Sequence, residues 1–414
     1  MAAPFRIHQS ELPLPHERAG HVAVTWNKAT IIWGGRTSDQ TITDSDVYMH
    51  LSGKWIRKET SGNVPSETRD VTAHIVDDTM FVLVPNGANP SEILYSLDLF
   101  TWTWTKLAPS GTPPKSRMWT SSWVYNGRIY VLGGMAIQVY HEVATLMMGL
   151  PPSKQLFCYN PDENSWEWPS QGGDIPTPRS RHSAIINDNT VFLFGGESLA
   201  RGFKTHNDLH ILDMERMIWT RVHDSMSEDQ VPGNMHKVPY GGTLVRISQS
   251  TAVLFGRFTK GSGENDFWLL NLESAKQLEG TSSIWTKIQG HPFTYGYAAV
   301  LEPMSRKLWV IGGSKPSKPT PGRVSALYGS GTLTSEVLIM PLNPSLKDLA
   351  LASVARNICL KDPRLAPDQL PSQVRDDIDA YRAEIGGRYL CSQEKRCLDC
   401  LTDEEPPTKR ARKS

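Results

Sequence analysis

The sequence predicts an all-β fold built from six copies of one repeat, and three observations carry this. Apolar runs closed by a glycine pair recur at Ile31–Gly35 (IIWGG), Tyr130–Gly134 (YVLGG), Phe192–Gly196 (FLFGG) and Trp309–Gly313 (WVIGG), with degenerate copies at Phe81–Pro85 (FVLVP) and Val253–Arg257 (VLFGR). Successive copies lie roughly 50 to 60 residues apart, a period that belongs to stacked repeats of small sheets. Each copy is followed by a second short strand (DVYMHL, ILYSLDL, QLFCYN, DLHILD, DFWLLN, EVLIMP), and five of these by a tryptophan: Trp55, Trp104, Trp166, Trp219 and Trp285.

Within each repeat the elements follow in order. An arginine opens four of them, as Arg18-x-x-His21, Arg69-x-x-Thr72, Arg117-x-x-Thr120 and Arg179-x-x-His182. His21 and His182 recur at one repeat position and read as structural hydrogen-bond partners at the start of a sheet. The glycine pair allows close backbone approach and positive φ at tightly packed strand ends. The tryptophans are large enough to fill the wedge between neighbouring sheets. The interval from Gly134 to Gly196 is the longest because Met135–Lys154 reads as a loop insertion.

Glycine pair, second strand and tryptophan at this period resemble the kelch repeat, over about residues 5 to 342. The resemblance implies a six-bladed β-propeller, in which four-stranded blades bury against one another around an axis. The sixth repeat lacks its tryptophan strand. Phe5 precedes Arg18 by thirteen residues, as Trp104 precedes Arg117 and Trp166 precedes Arg179. The segment Phe5–His8 is therefore expected to complete the last blade and remove its open edge.

Composition excludes several function classes. Lysine plus arginine and aspartate plus glutamate both number 43, so no net charge points to nucleic acid or an anionic membrane. The first ten residues carry no apolar secretory core, and no apolar run reaches the ~18 residues of a membrane span. Five cysteines, four of them between Cys359 and Cys400, fit a reducing compartment better than a disulfide framework. No phosphate-binding, dinucleotide-binding or nucleophile-elbow motif occurs. His206 and His210 lie in extended chain, roughly 13 Å apart, too far to share an ion. Cys391, Cys397 and Cys400 offer three thiols where zinc needs four ligands. The sequence thus predicts no metal, no cofactor and no catalytic cluster, and describes a binding module rather than an enzyme.

The pattern changes after Leu342. Residues 343–387 read as helical: Asn343 or Ser345 is a capping candidate, Leu346, Ala350 and Val354 share one face, Pro363 stops the first helix, and Pro367–Ile385 forms a second. Residues 388–414 are polar and aperiodic, and read as a disordered tail. The tail's basic cluster PPTKRARKS reads as a nuclear localisation signal, giving an expected distribution over nucleus and cytoplasm. Ser345-Leu346-x-x-x-Ala350-x-x-x-Val354 resembles an elongin-binding box, and Leu370-Pro371-x-x-Val374 resembles a cullin-2 box. Both, in order, after a kelch propeller resemble the kelch-domain substrate receptors of cullin-2 ubiquitin ligases. That resemblance implies elongin B/C and cullin-2 as partners, with Leu346, Ala350 and Val354 on elongin C and Leu370, Pro371 and Val374 on the cullin. It also implies a peptide substrate, such as a C-terminal degron, held in the propeller mouth. The alternative is a kelch scaffold without ligase association.

Side chains just after the glycine pairs and inside the R-x-x-H step are the candidates for that mouth: Arg36, Trp119, Arg181 and Arg257. Three arginines with an aromatic suit an acidic or C-terminal peptide. Glu197 stands where the closest members of the resembled family carry a carboxylate-grasping arginine, so that pocket does not carry over.

Overall fold

Runs such as ATIIW and TVFLF are too apolar to face water on both sides, and in the computed structural model they are fully or largely buried second strands of antiparallel meanders. The structure describes residues 8–9, 16–37, 46–66, 68, 70–85, 93–140, 143–147, 155–198, 204–222, 243–258, 265–277, 284–291, 297–302, 307–315, 332–333 and 337–340. All of them lie in the first of the chain's two units, Met1–Pro341. The expected helical segment 343–387 and tail 388–414 lie outside the described residues.

Five blades are each complete within one run of chain. The first comprises Val22–Trp26, Ala29–Trp33, Val47–Leu51 and Lys54–Lys58. The second comprises Thr72–Val76, Thr79–Leu83, Leu94–Asp98 and Thr103–Lys106. Ser121–Tyr125, Arg128–Leu132, Leu156–Asn160 and Ser165–Glu167 form the third. Ser183–Asn187, Thr190–Phe194, Leu209–Asp213 and Ile218–Val222 form the fourth. Thr243–Arg246, Thr251–Phe258, Asn265–Asn271 and Trp285–His291 form the fifth, with a short helix, Leu272–Gln277, before its last strand.

The expectation of six blades is corrected at the last repeat. Its strands Ala298–Leu301, Leu308–Ile311 and Val337–Met340 do not make a blade complete within one run of chain. They join His8–Gln9 in a sheet drawn from both ends of the unit, with His8 opposite Ile339 and Gln9 opposite Leu338. The reason lies in the sequence, which has no tryptophan after Met340 to mark an outer strand. The pairing residues are His8 and Gln9; Phe5 lies outside the described residues. The first strands of the sheets neighbour one another in chain order, and Ala298–Leu301 returns to Val22–Trp26.

Aromatic side chains fill the gaps between sheets. Trp33 meets Trp104 at 5.0 Å between centroids, Phe81 meets Tyr159 at 5.7 Å, and Phe194 meets Trp285 at 4.9 Å. Trp55 and His50 pack on Trp309, joining the first blade to the composite sheet. A second device was not read from the sequence. Gly62, Gly111 and Gly173 each follow a tryptophan (Trp55, Trp104, Trp166) by seven residues, and each sits in a short segment running parallel to the next blade's outer strand. A Cβ on Gly111 would lie 2.1 Å from the Trp166 carbonyl oxygen, so only glycine lets the linker lie that close.

Removing residues 1–10 strips a paired strand and opens an edge, and should lower stability by several kcal/mol. An unchanged melting temperature in the deletion variant would contradict this closure.

Candidate functional site

Val22 lies opposite Trp33, Ser121 opposite Leu132 and Ser183 opposite Phe194. The arginine step before the first strand and the glycine pair after the second therefore meet at one end of the first, third and fourth blades. There Arg18, Arg117 and Arg179 are buried, and each donates from Nη1 to the carbonyl of the first glycine: Gly34 at 3.2 Å, Gly133 at 2.5 Å and Gly195 at 2.9 Å. The second glycine's N–H donates to a neighbouring blade, Gly35 to the Thr68 carbonyl, Gly134 to that of Arg179 and Gly313 to that of Arg18. A Cβ on Gly133 would lie 2.5 Å from the Arg179 oxygen, which is why the pair is glycine.

The guanidinium of Arg18 lies over the Tyr48 ring and that of Arg117 over Phe157. In the fourth blade the equivalent position is His210, and Asp208 takes Arg179 instead, with N···O distances of 2.6 and 3.2 Å. Asp208 also bonds His210 Nε2 at 3.1 Å. Burial works to raise the Asp208 carboxyl, but hydrogen bonds from His210 and Arg179 outweigh it and hold it well below the usual carboxylate range. This cluster escaped the sequence reading, although Asp208 precedes Leu209–Asp213 as Asp46 precedes Val47–Leu51. His206 and His210 have separate partners, His206 bonding Ser198 Oγ at 3.0 Å.

Two residues after each arginine the backbone turns left-handed, at Gly20 (φ 72°), Trp119 (φ 60°) and Arg181 (φ 55°). The matching residue of the second blade is Asp70 (φ 52°), which places Thr68, not Arg69, in the arginine position. The sequence alignment was one residue off because it took Thr72 as the histidine's equivalent, whereas Thr72 begins the strand, as Val22 does. Arg69 lies outside the described residues.

Two mouth candidates come together. Arg181 N donates to the Trp119 carbonyl at 3.0 Å, and the Arg181 guanidinium sits 3.7 Å from the Trp119 ring centre. Its Nε is 3.3 Å from Glu197 Oε1, with the side chains only 5% and 6% exposed. Glu197 is held by reciprocal backbone bonds to Ser180, both 2.9 Å, and opens a small hairpin, Glu197–Ser198 with Lys204–Thr205. Burial pushes the Glu197 carboxyl up, against the pull of Arg181. Arg36 is half-buried in the first blade, bonded through its backbone to Ala19 as Glu197 is to Ser180. Arg257 has its backbone in Thr251–Phe258, beside a register shift between Leu254 and Arg257; its side chain lies outside the described residues. Leu346, Ala350, Val354, Leu370, Pro371 and Val374 also lie outside them.

The insertion after Gly134 is not simply a loop. Met135–Tyr140 and Val143–Met147 form a hairpin that pairs with Arg117–Met118 at the same end. Its alternating apolar run, MAIQVYHEVATLMM, was the available signal.

His21 and His182 are buried against the glycines, and burial, reinforced by Arg18 and Arg179 respectively, lowers each imidazole to about 3. They were expected as hydrogen-bond partners; among the described residues neither ring nitrogen of His21 has such a partner. Burial likewise takes His74, bonded to Ser122 Oγ at 2.6 Å, down to about 4. These groups stay neutral in the fold while the unfolded chain takes up protons below pH ~6.5. Their stability contribution is therefore full above that value and is lost as pH falls, by roughly 2 kcal/mol per histidine at pH 5. Urea denaturation should show a marked loss between pH 7.5 and pH 5, and equal stabilities would contradict the buried neutral histidines.

Comparison with known proteins agrees with this geometry. The model of the KLHDC2/KLHL20/DRC7 Kelch-repeats domain matches residues 5–150 and 149–321. The chain is 26% identical over 400 residues to Kelch domain-containing protein 1 of Mus musculus, covering 89% of this chain and 91% of that protein. It is 26% identical over 290 residues to Kelch domain-containing protein 2 of Bos taurus, covering 60% of this chain and 65% of that protein. It is 28% identical over 287 residues to Host cell factor 2 of Homo sapiens, spanning 64% of this chain but 34% of that protein's length. The solved structure of YjhT superposes with a TM-score of 0.54 at 14% identity, covering 80% of this chain and 97% of that one, which shows the shared fold. The chain is a kelch β-propeller and belongs to the KLHDC2/KLHL20/DRC7 kelch-repeats family.

Proposed function

We propose that this protein is the substrate-recognition subunit of a cullin-RING ubiquitin ligase, a non-catalytic receptor that binds short peptide segments in its propeller mouth. A kelch propeller is a protein-interaction domain, and the family match supports that coarser statement directly. The observation that carries the finer reading is the order of two boxes after the propeller: Ser345-Leu346-x-x-x-Ala350-x-x-x-Val354, then Leu370-Pro371-x-x-Val374. In this reading residues 343–387 are helical. Leu346 fills an apolar pocket on elongin C, Ala350 is small enough for close helix approach, and Val354 continues the face. Leu370, Pro371 and Val374 meet cullin-2. The composite sheet acts as the sixth blade of a closed ring, so that Arg36, Trp119, Arg181 and Arg257 border one opening. The basic cluster of the tail, residues 388–414, directs part of the protein to the nucleus.

A kelch scaffold would need none of these boxes, and copurification separates the two readings. Expressed with elongins B and C, the wild-type protein should elute with both. Leu346→Asp should elute alone with its propeller melting unchanged, because a carboxylate cannot be buried unpaired in an apolar pocket. Wild-type protein that elutes without elongins would overturn the receptor reading in favour of the scaffold.

A further inference from the structure

The mouth residues do not present equal charge. Arg181, placed among the peptide-binding candidates, already has a carboxylate: Glu197 lies 3.3 Å from its Nε, and both side chains are more than nine-tenths buried. Both backbones are anchored at this corner, Glu197 by its two bonds to Ser180 and Arg181 by its bond to the Trp119 carbonyl, and the Arg181 guanidinium lies on the Trp119 ring. The surface a ligand meets at this corner is the half-exposed Trp119, with a neutral ion pair beneath it. A second carboxylate drawn to Arg181 would lie against Glu197 in a poorly hydrated site, where like charges repel strongly. An uncharged segment meets no such opposition, and its backbone or side chain gains contact with the indole.

We propose that the corner between the third and fourth blades is built for an uncharged peptide segment, and that Glu197 is the residue that sets this preference by excluding carboxylates. The inference rests on the mouth being the peptide site and deepens that reading by naming the ligand class. Specificity then comes from a repulsive element against the wrong ligand as much as from contacts with the right one. Glu197 is a specificity-determining residue here, acting through Arg181.

The test uses the full-length chain and one library of ten-residue peptides, synthesised both as free acids and as C-terminal amides. Wild-type protein should bind the amides at least as tightly as the acids. Glu197→Gln keeps the side chain's size while leaving the Arg181 charge unbalanced, and should shift the ratio toward free acids by at least about tenfold. The double variant Arg181→Gln/Glu197→Gln removes both charges, so it should restore the wild-type ranking; it also serves if the single variant does not fold. Trp119→Ala should weaken the amides. Wild-type protein that prefers free acids, a Glu197→Gln ratio equal to wild type, a double variant that keeps an acid preference, or no peptide bound by wild type would each overturn the inference. Elongin copurification does not involve these residues, so a wrong ranking of acids and amides leaves the ligase association standing, and failure to copurify elongins leaves this inference standing; a wild type that binds no peptide overturns the mouth as the peptide site as well.

Discussion

The structure depends on a buried guanidinium that donates to the carbonyl of a glycine at the end of the adjacent strand. Arg18, Arg117 and Arg179 repeat this bond onto Gly34, Gly133 and Gly195. A buried charge is tolerated only when its donors are satisfied. Here the glycine carbonyls, joined by an aromatic face or the Asp208 carboxylate, supply partners for the guanidinium. The clamp folds the approach to the first, third and fourth blades against their glycine pairs, and the second glycine of a pair then reaches the next blade, as Gly35 and Gly134 do. Gly313 N donating to Arg18 O makes that reach from the last sheet to the first. Blade geometry, inter-blade bonding and ring closure thus converge on one short motif.

The same motif places the mouth. Because the arginine and the glycine pair meet at one end of the first, third and fourth blades, whatever follows either of them projects there. Three glycine pairs lead straight into small antiparallel strand pairs, beginning at Met135, Glu197 and Ser314. A rigid scaffold with variable additions at one end is the usual arrangement for a binding surface. The left-handed residues Trp119 and Arg181 sit at this end in conformations unfavourable for bulky side chains, held by the backbone bond between them.

Much of this was legible in the sequence. Glycine pairs, following strands and tryptophans gave the blades, because each is a strong local constraint repeated at a fixed period. The thirteen-residue spacing from Phe5 to Arg18 pointed to a strand from near the start closing the last sheet, and His8–Gln9 pairs there. Less legible was anything that depends on register by one residue. Arg69 looked like the arginine of its repeat, but the backbone puts Thr68 there. Arg257 lies beside an irregular pairing, where counting from the glycine no longer fixes direction. The hairpin after Gly134 was hidden because it pairs with Arg117–Met118, a segment read only as a motif. Trp119 and Arg181 were each selectable from repeat position alone. That they stack, and that Glu197 completes the group, required the third and fourth blades to be seen side by side.

The central claim is that glycine N–H groups bonded across blades, positioned by the buried arginines, hold the ring together. Native-state hydrogen exchange at Gly35, Gly134 and Gly313 tests it most directly. The account predicts that all three amides exchange only through global unfolding, and that Arg18→Lys accelerates Gly313 while leaving Gly134 protected. Exchange of Gly313 in the wild type as fast as in exposed turns would contradict it.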